Sequence, residues 1–453
     1  MKNMKIALEG KIRGSLAFLI FSLLAQFSYS QVTYYPNVHK VFQSRCGNCH
    51  VSSGVAPFEI QSESDVYNHL KIIREVVTTG YMPPWYVNED HIQYSNSLKL
   101  SNVELNLLKE WYAGGCLKGE DDSSIEDAKP FMDSTTQIDY QFVDYTVFKA
   151  FSVPSSDKDK YLRVSLIPAN GAGKPNSLDL IGIKFNPGNK KVVHHAELYA
   201  VEQKNNGDSL FLATDYFFLN DHGVMPGYGY RFISSWLPGQ DIDYFPNGTV
   251  KSIQNEESLV LLIHYSSFPK EELDSTTVRF YIKPDASDYE AVLDAKELTV
   301  IDQNAWNPER IFIAANTIDT ITLESVIESD GDLSIFALHP HAHHLCRKMN
   351  AVLISPKGDT CLLLDLPHWD FDWQHFYRFK KFIKASIGSK VRFTAIYDNT
   401  ADNPENPFNP PQDVYSSFRA DDEMMVLFIL AKEYEKGDEN QVVKYPLIPL
   451  KYH

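Results

Sequence analysis

Cysteine is scarce in this 453-residue chain, with five in all, and methionine is little commoner at eight. So few thiols exclude a small scaffold held together by disulfides. Beyond residue 30 there is no apolar run of the roughly 18 residues that a membrane-spanning helix needs. The longest candidate, Met424 to Ala431, is far too short and reads as a buried strand. Positive charge is also lacking: 42 basic against 59 acidic residues leave a net charge of −17. That balance argues against nucleic acid or an anionic membrane as partner. From about residue 139 long amphipathic helices and sequence repeats are missing, and the only biased tract is the Asn/Pro-rich stretch Asn403 to Pro411. The length exceeds one typical domain and implies roughly two to four, with ample chain to bury real cores.

Residues 1–30 read as a secretory signal peptide. Lys2, Lys5, Lys11 and Arg13 make the basic start, Ser15 to Phe27 the apolar stretch, and Ser28-Tyr29-Ser30 places small residues at the two key positions. Cleavage is expected before Gln31, and no cysteine follows to carry a lipid anchor. Loss of this segment, whose net charge is +3, takes the mature chain to about −20. The expected location is outside the cytoplasm, periplasmic or extracellular.

Cys46-Gly47-Asn48-Cys49-His50 is the most informative stretch. C-x-x-C-H is the attachment signature of a c-type haem: two thiols for thioether bonds and an adjacent imidazole for the iron. A dithiol pair or half a zinc site would also use C-x-x-C, but neither needs His50. The best-placed sixth ligand is Met82, in Tyr81-Met82-Pro83-Pro84-Trp85, where two prolines stiffen the chain after the thioether. The competing use of Met82 is to fill a small core. Residues 36–118 resemble a small cytochrome c domain, closed by a helical Leu107-Leu108-Lys109-Glu110-Trp111 segment. One covalent haem c is the cofactor this implies, held by Cys46, Cys49, His50 and Met82, in a domain spanning 31–118.

Residues 119–138 are acidic and polar, and read as a linker. From about residue 139 short β-favouring runs alternate with turn clusters such as Asn186-Pro187-Gly188-Asn189 and Phe245-Pro246-Asn247-Gly248. Strands are expected at Tyr161 to Ile167, Leu259 to Tyr265, Val278 to Ile282, Leu333 to Leu338, Ala351 to Ile354 and Val391 to Tyr397. The fold class that follows is mainly β with a small α domain: a helical N-terminal domain, then two antiparallel β-sandwiches, 139–289 and 290–453. Cys346 and Cys361 look like a disulfide, but Pro356-Lys357-Gly358-Asp359 reads as a hairpin turn that sets Cys361 opposite roughly Ile354. The resulting offset, on the order of 25 Å along a strand, forbids the bond. Cys116, Cys346 and Cys361 stay without an assigned role.

Fifteen histidines is a high count, and their grouping matters more. His194-His195 ends a Lys191-Val192-Val193 run, His264 lies in Leu261-Leu262-Ile263-His264-Tyr265, and His339-Pro340-His341-Ala342-His343-His344 follows an apolar run. Residues two apart on a strand share a face, so His341 and His343 are preorganised for one metal ion. His194 and His195 would face opposite ways on a regular strand; joint ligation requires a bulge or a strand end. The bland alternative is one packed and one solvent-facing histidine. Imidazole-rich sites suit zinc, copper, iron or nickel, and an added thioether favours Cu(I).

His-His, then Ile-His-Tyr, then His-x-His-His, then Asp422-Glu423-Met424 is an order similar to that of the copper type II ascorbate-dependent monooxygenases, over roughly residues 140–435. The resemblance implies two copper ions, the first held by His194, His195 and His264 and the second, oxygen-binding one by His341, His343 and Met424. It also implies paired β-sandwiches with the coppers facing across a wet cleft, and Met425 as a core residue turned the other way. The activity it implies is hydroxylation of a C–H bond of a small organic substrate with O₂. Electrons would come from an external donor, ascorbate or a redox protein, with the haem relaying them to the first copper. Where peptide-processing members carry a substrate-gripping arginine this chain has His339, and Val426 and Phe428 replace polar contacts; these changes point to an apolar or aromatic substrate. The competing class is a non-catalytic electron-transfer or copper-binding protein. Trp369-Asp370-Phe371-Asp372-Trp373-Gln374 reads as turn and core rather than substrate contact.

Overall fold

The computed structural model describes residues 31–447 apart from 48, 52–55, 121–135, 138–140, 148–149, 157–159, 169–177, 203–215, 219–229, 241, 255, 283–292, 295, 302–310 and 418. The expected signal peptide and most of the expected linker lie outside the described residues. The chain forms two compact units. Among the described residues, one combines those from 31 to 47 with 60–83 and 99–120; the other combines those within 49–59, 84–98 and 136–447. Among the described residues no helix is long and apolar enough to cross a membrane.

The first unit is helical: α1 (His39–Arg45), α2 (Glu63–Asn68), α3 (Leu70–Thr79) and α4 (Asn102–Ala113). Two of these helices start at capping boxes. Ser62 and Asp65, and Ser101 and Glu104, each exchange side-chain and backbone hydrogen bonds that satisfy otherwise orphaned N–H groups. The α3 helix stops at Gly80, which has φ +77°, a conformation costly for any residue with a Cβ. Trp111, Leu108, Phe42, Val66 and Tyr34 form its buried centre. Arg45 closes it with an ion pair to Glu104 at 2.9 Å. The helical segment expected at 107–111 is the body of α4.

The second unit is built of strands. Its N-terminal part contains β1 (Lys160–Pro168), β2 (Leu178–Asn186), β3 (Val193–Glu202), β4 (Tyr230–Trp236), β5 (Ile242–Tyr244) and β6 (Glu257–Tyr265). In the hydrogen-bonded order β1-β6-β3-β4 every pair is antiparallel. A second group around β2 joins this one where the strand Gln141–Val147 hands over to β1, so the part is one continuous sheet rather than two separate ones. The C-terminal part contains β7 (Lys296–Ile301), β8 (Ile318–Val326), β9 (Leu333–His341), β10 (Cys346–Ile354), β11 (Thr360–Leu366), β12 (Tyr377–Ala385), β13 (Lys390–Asp398) and β14 (Val426–Glu433). They make two four-stranded antiparallel sheets, β7-β14-β9-β12 and β8-β13-β10-β11. The six strands expected from sequence all lie within observed strands.

The central strand β14 explains why the chain after residue 130 is one unit. Leu427, Ile429 and Ala431 point into the core between the two C-terminal sheets. Their neighbours Val426, Phe428 and Leu430 point the other way, into the core of the N-terminal part. A strand buried on both faces reads as a continuous apolar run, with each large side chain contributing about 1.5–3 kcal/mol. A buried ion pair crosses the same junction: Arg378 on β12 meets Asp243 on β5, and also donates to Tyr244 O at 2.9 Å. Residues 84–98 lie along this unit too; Trp85, Val87 and Tyr94 enter the C-terminal core, and Tyr94 bridges to Phe379. Cys361 pairs with Leu353, one residue from the expected Ile354, and β10 and β11 carry Cys346 and Cys361 without a disulfide.

Candidate metal centre

The first histidine group is made by a defect in a β-ladder. On β6, His264 pairs with His195, but the next residue, Tyr265, pairs with Val193. His194 is therefore the extra residue of a bulge, the feature that lets neighbouring histidines turn to one side. His195 and His264 are direct cross-strand partners, whose side chains are obliged to meet. The outcome is that ligand atoms of His194, His195 and His264 all lie within 4.8 Å of one another.

The atoms that converge are the Nδ1 nitrogens. His194 Nδ1 is 3.0 Å from His195 Nδ1, and His264 Nδ1 is 3.3 Å from it. Imidazole nitrogens bound about 2.0 Å from one ion lie about 3.3–3.5 Å apart. The two edges that meet at His195 are thus close to those of a trigonal or tetrahedral metal site, and the third lies within 4.8 Å. Tyr161 stacks on His264 at 4.4 Å with rings 3° from parallel, fixing its plane.

The second group is held differently. His341 is the last residue of β9, and His343 lies just past the strand end, in the short connection to β10. Their rings sit 5.2 Å apart and nearly perpendicular. Both Nδ1 atoms are engaged away from each other: His341 with Gln374 Oε1 at 2.7 Å, His343 with the Asp422 carbonyl at 3.0 Å. Carbonyl oxygens only accept, so each Nδ1 carries the proton and each Nε2 keeps the lone pair for a metal. Met424 and Met425 precede β14 and diverge as expected. Met425 is buried in the C-terminal core, and Met424 is partly buried against the other cluster.

Glu423 ties the segment carrying Met424 to the histidine segment. Its carboxylate accepts from the N–H groups of His343 (2.9 Å), Leu345 (2.6 Å) and Met424 (3.1 Å). Burial pushes this carboxyl up to about 8, against the lowering effect of those N–H groups. The imidazoles are pushed the other way. Burial takes His341 down to about 4 and leaves His195 and His343 well below the usual histidine range, with neighbouring histidines adding to the effect. Neutral imidazole is the form that ligates metal, so burial keeps the donors ready at mildly acid pH.

The two groups adjoin rather than stand apart, with the His195 and His341 rings 6.0 Å between centroids. Phe371 is the shared neighbour, stacking on His194 at 4.8 Å and touching the rings of His343 and His344. His339 is no part of either group. It is buried between Phe376 and Phe428, its ring 4.6 and 5.8 Å from theirs, and burial takes it down to about 3. The sequence pointed to the histidines and Met424 but not to Glu423, Tyr161 or Gln374. Glu423 was visible only as part of the Asp-Glu-Met motif, and Gln374 sits in the aromatic stretch read as turn and core.

Of the residues expected to hold haem, Cys46 and Met82 belong to the helical unit, Cys49 and His50 to the other. Cys46 directly follows α1, and the Met82 N–H donates to Val76 O at 3.0 Å. His50 Nδ1 donates to Phe58 O at 2.8 Å, which leaves the lone pair on Nε2. Cys49 lies against Gly239 in the turn after β4: a Cβ there would overlap its Sγ. Burial pushes the Cys49 thiol up to about 11.

Among solved structures, the chain is similar to infectious bursal disease virus Gx strain, at 11% identity over 70% of this chain and 87% of that one, with a TM-score of 0.17. It is similar to allantoicase at 13% identity over 57% and 74%, TM-score 0.17. A third is PNGase F, a glycosylasparaginase from Flavobacterium meningosepticum, at 9% over 66% and 99%, TM-score 0.26. Likenesses this distant carry no argument about fold or function. Residues 294–439, which hold His341, His343, Gln374 and Met424, match the copper type II ascorbate-dependent monooxygenase, C-terminal domain.

Proposed function

We propose that this chain is an exported, haem-fused copper monooxygenase that hydroxylates a C–H bond of a small organic substrate. The observation that carries the reading is the convergence of three Nδ1 atoms at 3.0 and 3.3 Å beside a second histidine pair in the matched segment. His194, His195 and His264 would hold one copper; His341, His343 and Met424 would hold the other. The overall reaction balances as R–H + O₂ + 2 e⁻ + 2 H⁺ → R–OH + H₂O. A copper ligated by imidazole and thioether favours Cu(I), the state that activates O₂ for attack on a C–H bond.

The chain's own residues supply the rest. Neutral, buried imidazoles keep the donors unprotonated, and Glu423 holds the backbone of His343 and Met424 in register. Phe371 against the histidine groups, and Phe376 and Phe428 around the neighbouring His339, are in line with an apolar or aromatic substrate. Ascorbate or a redox protein is the external donor.

The haem belongs to the same reading. Cys46 and Cys49 would anchor it, and His50, through Nε2, and Met82 would be its axial ligands. A one-electron carrier tethered to a one-electron copper is the chemistry it would supply. The seat of Cys49 favours delivery to the first copper: it lies on the turn after β4, and Trp236 at the end of β4 pairs with Ala196, next to His195.

Metal analysis with EPR on the oxidised protein, followed by oxygen uptake across a substrate panel, tests the proposal. Two Cu(II) per chain, one haem c and substrate-dependent O₂ uptake are expected. Two coppers with no uptake on any substrate would leave a non-catalytic copper carrier; no copper would end the proposal. For the relay, mixing reduced haem with oxidised copper protein should oxidise the haem rapidly, and slow oxidation at full copper occupancy would refute it.

A further inference from the structure

One short segment, Trp369–His375, between β11 and β12, reaches both histidine groups. Gln374 is buried, and its two ends are held by different partners. Its Nε2 donates to Phe371 O at 3.1 Å, and its Oε1 faces His341 Nδ1 at 2.7 Å. A backbone carbonyl only accepts, so the first bond fixes which end of the amide is oxygen. With Oε1 facing His341, that imidazole must carry its proton on Nδ1, and Nε2 becomes its donor atom.

Two residues earlier the same segment does the opposite to the other group. Asp372 Oδ1 lies 3.2 Å from His194 Nε2. A carboxylate only accepts, so this contact favours the proton on Nε2 and leaves Nδ1 to join the nitrogens of His195 and His264. Phe371, directly before Asp372, stacks on His194 at 4.8 Å with rings 19° from parallel, and packs against His344 at 4.2 Å.

We propose that Trp369–His375 is the positioning element of the paired metal centre, in which Gln374 sets His341 to ligate through Nε2 while Asp372 sets His194 to ligate through Nδ1. The inference rests on the copper assignment above and adds to it which residues outside the ligand set tune each copper. The two polar residues differ in weight. Gln374 is 2% exposed and doubly held, whereas the Asp372 side chain is 74% exposed, where solvent screens its pull on His194.

The test is competitive Cu(I) titration against a chromogenic chelator, with EPR of the Cu(II) form, on the full chain. Wild type is compared with Gln374→Leu, Gln374→Glu and Asp372→Ala. Partners of this kind set ligand orientation, and their loss weakens metal binding by about 10–100-fold. Gln374→Leu should weaken one copper by that factor, change the hyperfine pattern of that copper only, and leave the other at wild-type affinity. Gln374→Glu keeps an acceptor oxygen of the same reach, and should recover affinity to within a few-fold. Asp372→Ala should weaken the other copper, by less than about tenfold. Gln374→Leu with both affinities at wild type, or with both lowered equally, overturns the proposal. A merely structural role for Gln374 would lower both coppers together and would not be rescued by glutamate. A wild-type chain that binds fewer than two coppers overturns the function reading, and this inference with it. Two tight coppers in wild type and no change in Gln374→Leu overturn the inference alone.

Discussion

The two histidine groups solve one problem in different ways. His194, His195 and His264 are placed by a β-ladder. A bulge turns His194, a cross-strand pair joins His195 to His264, and Tyr161 stacks on His264. His341 and His343 sit where a strand ends, and their geometry comes from side chains far along the sequence: Gln374, Glu423 and the carbonyl of Asp422. The first group presents Nδ1 atoms and the second presents Nε2. A site built into hydrogen-bonded strands inherits the rigidity of the sheet. A site at a strand end depends on its supporting residues, and is the more tunable of the two.

The comparison breaks most sharply at Met424. Met424→Leu should abolish hydroxylation while leaving the haem spectrum and the first copper unchanged, as read by oxygen uptake and EPR. Retained turnover would show that the two groups do not divide the work as proposed.

The next largest effect concerns the junction that holds both groups in one unit. Breaking the Arg378–Asp243 pair leaves an uncompensated buried charge, so Arg378→Met should lower stability by about 3–5 kcal/mol. Removing both charges with Asp243→Ala/Arg378→Met should recover much of that loss in urea unfolding. A double variant no better than the single would show that packing, not charge, carries the junction.

Acid should reveal the burial that both groups share. His195, His341, His343, His339 and His375 all have folded values below the unfolded histidine value of 6.5, His339 at about 3 and His341 and His375 at about 4. Between those values and 6.5 the unfolded chain binds more protons than the folded one. Their contribution to stability is therefore full above pH 6.5 and is lost as the pH falls toward about 4. Melting temperatures of the copper-free protein should fall over that window, and His339→Phe should flatten the slope without altering either copper. An unchanged slope would place the acid sensitivity elsewhere.

The smallest effect separates the groups again. Tyr161→Leu removes a stacked partner worth about 0.5–1.5 kcal/mol, and should perturb the EPR signal of the first copper only. A change at the second copper would mean that the groups are coupled through their adjoining rings.

Much of this was legible in the sequence, for reasons specific to each element. Strands such as β6 and β9 announce themselves because burial on both faces demands unbroken apolar runs. The need for a bulge at His194-His195 followed from strand alternation alone, and the hairpin register came within one residue at Cys361. Gln374 and Asp372 were not legible as partners, because hydrogen bonds spanning 33 and 178 residues leave no local pattern. The assignment of residues 84–98 to the β unit was equally hidden: Trp85 and Tyr94 look like core residues of any domain, and only packing says which. The adjoining of His195 and His341 likewise depends on β14 packing into a different core on each face, not on either motif.

The most direct measurement is copper bound per chain in wild type, His264→Ala, His341→Ala and the double variant, each with its EPR spectrum. The account predicts two coppers in wild type and one in each single variant, with spectra that differ from each other and sum to that of wild type, and none in the double variant. One copper in wild type, or two single variants that lose the same signal, would contradict it.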